Sequence, residues 1–467
     1  MTMNHISNEA SPGTRPGGHA GEIHAFDSGE HTGITRMQRR VLLGGSVGQF
    51  IEFYDFALYG LSAVVLSALF FPSDNQLAGL LALFATFGVA FFVRPIGGLI
   101  FGSLGDRIGR RNVLVITLLL IGVATTGIGL LPTFETAGPI APILLVLLRL
   151  VQGLSAGGES AGAPSFVFEH APVNRRGLFV NITLAATALP SVAAAFFIFF
   201  LSISMNDEAF TAWGWRVPFL IALPLALVGL WIRAKTEESP AFKEMAREQA
   251  EQAAEVAAEV EVAKHSPVRE AFRTNWLKMI QVVFVMGLTA MGFYFLSGYF
   301  VPFVQTSGNL SRDQALLLNG FAMLAYTVLL PVAGAIGDRI GRRPMLIGGA
   351  ITIAVLAIPS FLLVTSGSVP LAMCGQLLFV LAICFYGGGC YTFFIEVFDT
   401  KTRFTSAAFS YNLGYALLGG TAPFVGTALV NATEVPFSPA FYVIGIALLT
   451  LVAMAITKVP ETRGLRH

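Results

Sequence analysis

The stretch Gly105–Arg111, "GDRIGRR", returns unchanged at Gly337–Arg343. Seven identical residues, three of them Arg, stand out in a chain that is 54% hydrophobic and only 12% charged. A soluble globular chain is about one quarter charged, so most of this chain is suited to lipid rather than water. Two identical charged loops, far apart in so apolar a sequence, imply that one structural unit occurs twice.

About twenty apolar residues cross a bilayer core as a helix. Stretches of that kind lie near 41–69, 77–101, 112–131, 142–168, 178–203 and 213–234, and again near 276–304, 311–336, 344–366, 369–396, 404–430 and 437–458. The expected fold is therefore an all-α membrane protein of twelve transmembrane helices in two pseudo-symmetric six-helix bundles. Residues 1–38 read as a disordered cytoplasmic tail, 39–234 as the first bundle, 276–458 as the second and 459–467 as a short cytoplasmic tail. The linker at 235–275 carries an Ala/Glu-rich run after Ser239-Pro240, a start signal for an amphipathic helix.

The cations test this topology independently. With the N-terminus in the cytoplasm, 24 of the 29 Lys and Arg fall on the cytoplasmic side. They cluster at 36–40, 107–111, 175–176, 233–278, 339–343, 401–403 and after the last span. Arg312 alone lies in an outer loop, Arg15 sits in the far tail, and Arg94, Arg149 and Arg216 lie within spans. An excess of cytoplasmic Lys and Arg is the orientation rule of membrane proteins, and an odd number of spans would scramble it. Both termini are expected inside, in the plasma (inner) membrane.

Both copies of the repeat then fall in the short cytoplasmic loop between the second and third span of a half. A second echo agrees: Glu169 is followed seven residues later by Arg176, and Glu396 seven residues later by Arg403. Such internal duplication accompanies two-half transport folds. Asp106, Arg107 and Arg110, their mates Asp338, Arg339 and Arg342, and Glu159, Glu169, Arg176, Glu396 and Arg403 are the candidates for latching the halves at the cytoplasmic face. Lying near that surface, the pairs are expected to be partly hydrated.

Other classes find little support. A net charge of +1 offers no basic excess for nucleic acid. Cys374, Cys384 and Cys390 share one apolar run and form neither a disulfide framework nor a zinc pattern. His5, His19, His24 and His31 are irregularly spaced in the tail, so neither a metal site nor a cofactor is expected, and no enzyme activity.

Further stretches narrow the class: "IEFYDFALYG" in the first span, "RPIGG" closing the second, "RLVQGLSAGGE" in the fourth, "WGWRVPF" opening the sixth and "YNLGYALLGGTAP" in the eleventh. Together with the repeated loop, the chain resembles the major facilitator superfamily. Within that it is similar to the metabolite:proton symporter family of α-ketoglutarate, shikimate, citrate and proline/betaine permeases. The resemblance implies proton-coupled symport of a small organic solute by alternating access, with protons, substrate and the bilayer as partners and a monomer as the working unit.

Ionisable groups inside spans are costly and are functional candidates. Here they are Glu52 and Asp55 in the first span, Arg94 in the second, Arg149 and Glu159 in the fourth, and Arg216 at the outer start of the sixth. No histidine lies within a span, so a carboxylate is the expected proton carrier. Asp55, Glu52 and Arg149 form the proton-coupling set: Asp55 lies about fourteen residues and Arg149 about seven from the outer ends of their spans, so at about 1.5 Å per residue helix tilt and shifted span ends are needed to bring them level, and Glu52 lies one turn from Asp55. Arg94 either pairs structurally with Glu159 or binds a substrate carboxylate through its planar fork. The substrate set is Arg94, Arg149, Tyr54, Tyr59, Gln152, Tyr386 and Asn412. Two embedded Arg favour an organic acid; Tyr54, Phe53 and Tyr59 keep open a zwitterion such as proline or betaine, with drug/proton antiport a weaker alternative. Gly153 and Gly157 have the spacing of close helix packing.

Overall fold

The computed structural model describes residue 50 and residues 53–108, 110–157, 167–168, 171–236, 267–398 and 403–457. It is all-helical. The first six spans are α1 (Phe53–Leu61 with Ala63–Phe70), α2 (Gln76–Ile108), α3 (Arg110–Leu130), α4 (Ile140–Gly157), α5 (Arg176–Ser204) and α6 (Asp207–Trp231). The last six are α7 (Arg273–Thr306), α8 (Arg312–Ile340), α9 (Arg342–Val364), α10 (Val369–Glu396), α11 (Ser406–Thr433) and α12 (Pro439–Ile456). Among the described residues this makes twelve helical spans near the expected positions, α3 with a shorter apolar stretch, Val115–Leu130, than the others.

The outer surface is apolar because it faces lipid: Phe92, Leu99, Leu147, Trp231, Val355 and Ile456 are all exposed. The inner faces pack as one core running through both halves. Its most enclosed member is α7, of which 89% of the apolar window is buried. The halves meet along α5 against α8 and α2 against α11. A third meeting is α1 on α7, where Gly60 lies directly against the backbone of Gly298. A side chain at Gly60 would hold these helices apart, since its Cβ would overlap the Gly298 backbone.

One feature departs from the sequence reading. The first span is not straight: its two pieces meet at Ser62 with a bend of 70°. The backbone bond from Ser62 N–H to Leu58 O survives at 3.0 Å, so the helix turns without unravelling. A Gly-x-Ser step is a recognised site for such a kink. Beside it, α7 widens into a π-helical turn at Phe295–Tyr299, and α11 does the same at Tyr415–Gly419. Turns of this kind interrupt otherwise regular helices near functional sites.

The glycines of α4 behave as their spacing suggests. A Cβ at Gly153 would overlap the backbone of Ala90, and one at Gly157 the backbone carbonyl of Arg94. With only hydrogens between them, α2 and α4 form a tight pair that carries Arg94 and Arg149 together. Gly158 and Gly162 lie outside the described residues.

Candidate proton-coupling and substrate site

Asp55 on α1 points into the bundle and meets Arg149 of α4, Nη1 to Oδ2 at 3.2 Å, with side-chain exposures of 2% and 0%. Three helices build the surroundings. Thr125 of α3 donates its hydroxyl to Asp55 Oδ1 at 2.8 Å. Gln152, one turn beyond Arg149 on the same face of α4, donates Nε2 to Asp55 Oδ1 and accepts from Arg149 Nη1 at 2.9 Å. The carboxylate thus receives three hydrogen bonds, one of them from a cation. That is what a charge needs if it is to survive away from water.

Arg149 is held as firmly on its flat side. Its guanidinium carbon lies 3.4 Å from the centre of the Tyr59 ring, with Phe56 and Phe87 also in range. The Tyr59 hydroxyl is engaged with Thr86 and the Leu83 carbonyl, which fixes the ring as a platform. Only Nη1 of the guanidinium meets acceptors: Nε and Nη2 are buried with no hydrogen-bond partner among the described residues. These two nitrogens form the side edge that takes a carboxylate in two parallel bonds.

Arg94 of α2 stands beside this centre, 4.6 Å over Phe56 and 4.4 Å over Phe91. From there an aromatic path crosses to the other half. Phe91 packs edge-on to Tyr294 at 5.0 Å, Tyr294 meets Tyr415 at 6.2 Å, and Tyr415 stacks on Tyr411 at 4.1 Å.

The remaining sequence candidates fall in various places. Tyr54 gives its hydroxyl to the Pro218 carbonyl at 3.2 Å, and Tyr386 gives its own to Val285 O at 3.0 Å. Half-buried Asn412 bonds back to Ala408 O within α11. The two tyrosines offer ring faces with their hydroxyls already occupied, while Asn412 has used one of its two N–H donors. Gln152 belongs to the Asp55 network, and its amide is spent there. Glu52, Glu159 and Glu169 lie outside the described residues, so their pairings with Asp55, Arg94 and Arg176 are not seen. Arg216 uses Nη1 to close the end of α3, on Gly129 O at 2.8 Å and Leu131 O at 2.7 Å. A cation there suits the negative end of a helix.

Pseudo-symmetry shows how unlike the halves are at this level. Arg149 stands twenty residues before Glu169, and Gln376 twenty before Glu396. Three residues further on, Gln152 corresponds to Phe379, which packs with Phe295, Phe300 and Phe361. Where the first half has an ion pair, the second has a buried amide and a phenyl cluster.

The cytoplasmic joint is explicit for the second copy of the repeat. Asp338 accepts from the backbone N–H of Gly177 at 2.8 Å and of Leu178 at 2.9 Å. A carboxylate of one half thereby caps the N-terminus of α5 in the other, where orphan amides and the helix dipole favour an anion. Arg342 ties Asp338 (2.9 Å) to Glu396 (3.4 Å). Exposures of 7% or less correct the expectation of a partly hydrated latch. The side chains sink into the seam because Gly177 and Gly334 let the backbones touch. Arg176 sits 4.4 Å over Phe168, and Arg339 is exposed. Asp106, Arg107, Arg110 and Arg403 are helical, with side chains outside the described set.

Burial enlarges what a substitution should do. Asp338→Asn keeps one acceptor but turns an N–H toward a helix amide and removes the negative charge that stands between Arg342 and the N-terminus of α5. The inter-half contact should weaken by about 2 kcal/mol, more than tenfold in population. A cysteine placed on the cytoplasmic face should label faster with an impermeant thiol reagent in inside-out vesicles. Unchanged labelling of a folded variant would make Asp338 a topology signal only.

Comparison with known proteins is consistent with this architecture. The sugar (and other) transporter family matches residues 41–467. The proline/betaine transporter of Salmonella typhimurium is 32% identical over 428 residues, covering 92% of this chain and 85% of that one. The citrate-proton symporter of Salmonella typhi is 32% identical over 422 residues, covering 89% and 93%. Among solved structures, the E. coli xylose transporter in a partially occluded inward-open conformation superposes with a TM-score of 0.69 at 20% identity. It covers 93% of this chain and all of that one.

Proposed function

The chain belongs to the sugar (and other) transporter family, and from that premise we propose that it is a proton-coupled symporter of a small organic acid, working by alternating access as a single chain. Asp55 is the proton carrier, Arg149 its counter-ion and the seat of the substrate carboxylate, and Arg94 a second cation at the edge of the pocket. The observation that carries this reading is the buried guanidinium of Arg149, bound to Asp55 through Nη1 while Nε and Nη2 lack acceptors among the described residues. A buried charge with two idle donors is expensive, and a carboxylate on that edge removes the cost. When Asp55 is ionised, the pair is neutral and the substrate anion is surplus. When Asp55 is protonated, Arg149 carries a net positive charge that an anionic substrate can balance. Proton and carboxylate therefore favour each other's binding, which is the thermodynamic content of symport.

A carboxylate-bearing zwitterion is the second reading. In its favour are the rings of Phe91, Tyr294 and Tyr415 beside Arg94, which suit an alkylated ammonium group, and the 32% identity to the proline/betaine transporter. From the cation distribution of the sequence we infer both termini in the cytoplasm and a plasma-membrane location. The deciding experiment is uptake into proteoliposomes, with and without an inward proton gradient, using radiolabelled citrate, shikimate, proline and betaine in parallel. Accumulation of an acid only with the gradient supports the first reading, and of proline or betaine the second. Uptake of all four that ignores the gradient defeats both.

A further inference from the structure

We propose that Thr125 is the positioning residue for proton coupling: a hydroxyl that reverses its hydrogen bond so that Asp55 can be ionised or protonated within one unchanged arrangement of heavy atoms. The inference rests on the reading of Asp55 as proton carrier and goes beyond it, since Thr125 carries no charge and stands in an apolar run.

The argument is a count of protons and lone pairs. Thr125 Oγ1 is 2.8 Å from Asp55 Oδ1 and 2.7 Å from the Ile121 carbonyl one turn back on α3. Gln152 Nε2 donates to Oγ1 at 3.0 Å. A hydroxyl has one proton and two acceptor lone pairs, so it can donate to Asp55 or to Ile121 O, never to both. With Asp55 ionised, the Thr125 proton points at Oδ1. A proton arriving from water on Oδ1 forms a carboxyl O–H that must itself find an acceptor. The Thr125 hydroxyl then rotates to Ile121 O and presents a lone pair to that O–H. No other bond needs to break, because Gln152 still donates and Arg149 Nη1 still has Oδ2 and Gln152 Oε1.

The surroundings leave this task to Thr125. Among the described residues, the charged and titratable groups acting on Asp55 are Arg149 from α4, Arg94 from α2 and Tyr59 from α1. The two guanidinium groups are donors only and offer no lone pair to a carboxyl O–H, and the Tyr59 hydroxyl is engaged with Thr86 and Leu83 O. Gln152 Oε1 is held by Arg149. Thr125 is fully buried, so water does not substitute for it while the site is closed.

The proton itself is the probe, so no substrate need be known. In purified protein, the carboxylic-acid C=O band of Asp55 is read by infrared difference spectroscopy across pH, as wild type minus Asp55→Asn. Thr125→Val keeps the shape and removes the hydroxyl. Its loss should hurt the ionised state more, since a hydrogen bond to a charge is stronger than one between neutral groups. The band should therefore persist to more alkaline pH by about one unit, and its frequency should rise as the O–H loses its acceptor. Thr125→Ser should restore both, which a purely packing role would not achieve. If Thr125→Val does not fold, Thr125→Ala makes the same comparison. A titration and frequency unchanged in the hydroxyl-free variant, with Asp55 titrating normally, overturns the role of Thr125 alone. Absence of any titrating band in the difference spectrum overturns it together with the reading of Asp55 on which it rests.

Discussion

Asp55→Asn should abolish accumulation of substrate against its gradient while sparing exchange of substrate across the membrane. Asparagine matches the shape of aspartate and can still accept from Thr125 and Gln152, so the local packing survives. It binds no proton at working pH, so the step in which proton and substrate move together is lost. Its amide N–H₂, where Oδ2 stood, faces the Arg149 Nη1 donor now 3.2 Å away, and the buried guanidinium loses its counter-charge. Removing one partner of a buried pair costs about 3–5 kcal/mol. The empty variant should therefore melt earlier than wild type, and a bound carboxylate should recover more of its stability than in wild type. Proteoliposomes loaded for counterflow and for gradient-driven uptake separate the two activities, and a thermal-shift series reads the stability. Full concentrative uptake by Asp55→Asn would remove Asp55 from the coupling role.

Arg149→Lys comes next in size. The charge is kept, but an ammonium is a compact point charge with no side edge. It can serve Asp55 or Gln152, and it cannot also hold a carboxylate in two parallel bonds or lie flat 3.4 Å above Tyr59. Losing charge-assisted bonds worth about 1.5–3 kcal/mol should raise the KM for uptake by roughly ten- to a hundredfold. Because the pair with Asp55 is partly preserved, expression and folding should suffer less than in Asp55→Asn. A concentration series of initial uptake rates makes the comparison, and near-wild-type KM would mean that Arg149 acts only as a generic cation.

Much of the site was legible because charge in an apolar chain is rare. Asp55, Arg94 and Arg149 announce themselves by the cost of burying them, whereas counting residues from the span ends left Asp55 and Arg149 at different depths, and only the structure brings them into contact. Thr125 gave no such signal. A threonine in a membrane helix ordinarily bonds back to its own turn, as this one also does to Ile121 O, and nothing in the residues around it marks a carboxylate across the way. Gln152 was visible as a polar residue but not in its role. Whether an amide faces a substrate or bridges two fixed charges depends on neighbours from α1 and α3, which sequence order does not bring together.

The same division runs through the whole molecule. The sequence by itself determined the solvent, the number of spans and the duplication, because these follow from hydropathy, chain length and the repeated loop, all of which are read along the chain. It also marked α4 as a helix for close packing, since Gly153 and Gly157 leave a groove that a neighbouring helix can fill, while the structure shows that α2 fills it. Only the tertiary structure decided that Asp338 reaches the α5 amides inside a buried seam, that α1 turns by 70° at Ser62, and that two nitrogens of Arg149 stand without acceptors among the described residues. Each of those depends on which backbones come within a few ångströms of one another. Hydrogen bonds are directional and short, whereas the apolar pattern that drives the helices together is neither, so the pattern selects the fold and leaves the bonding to be settled by contact.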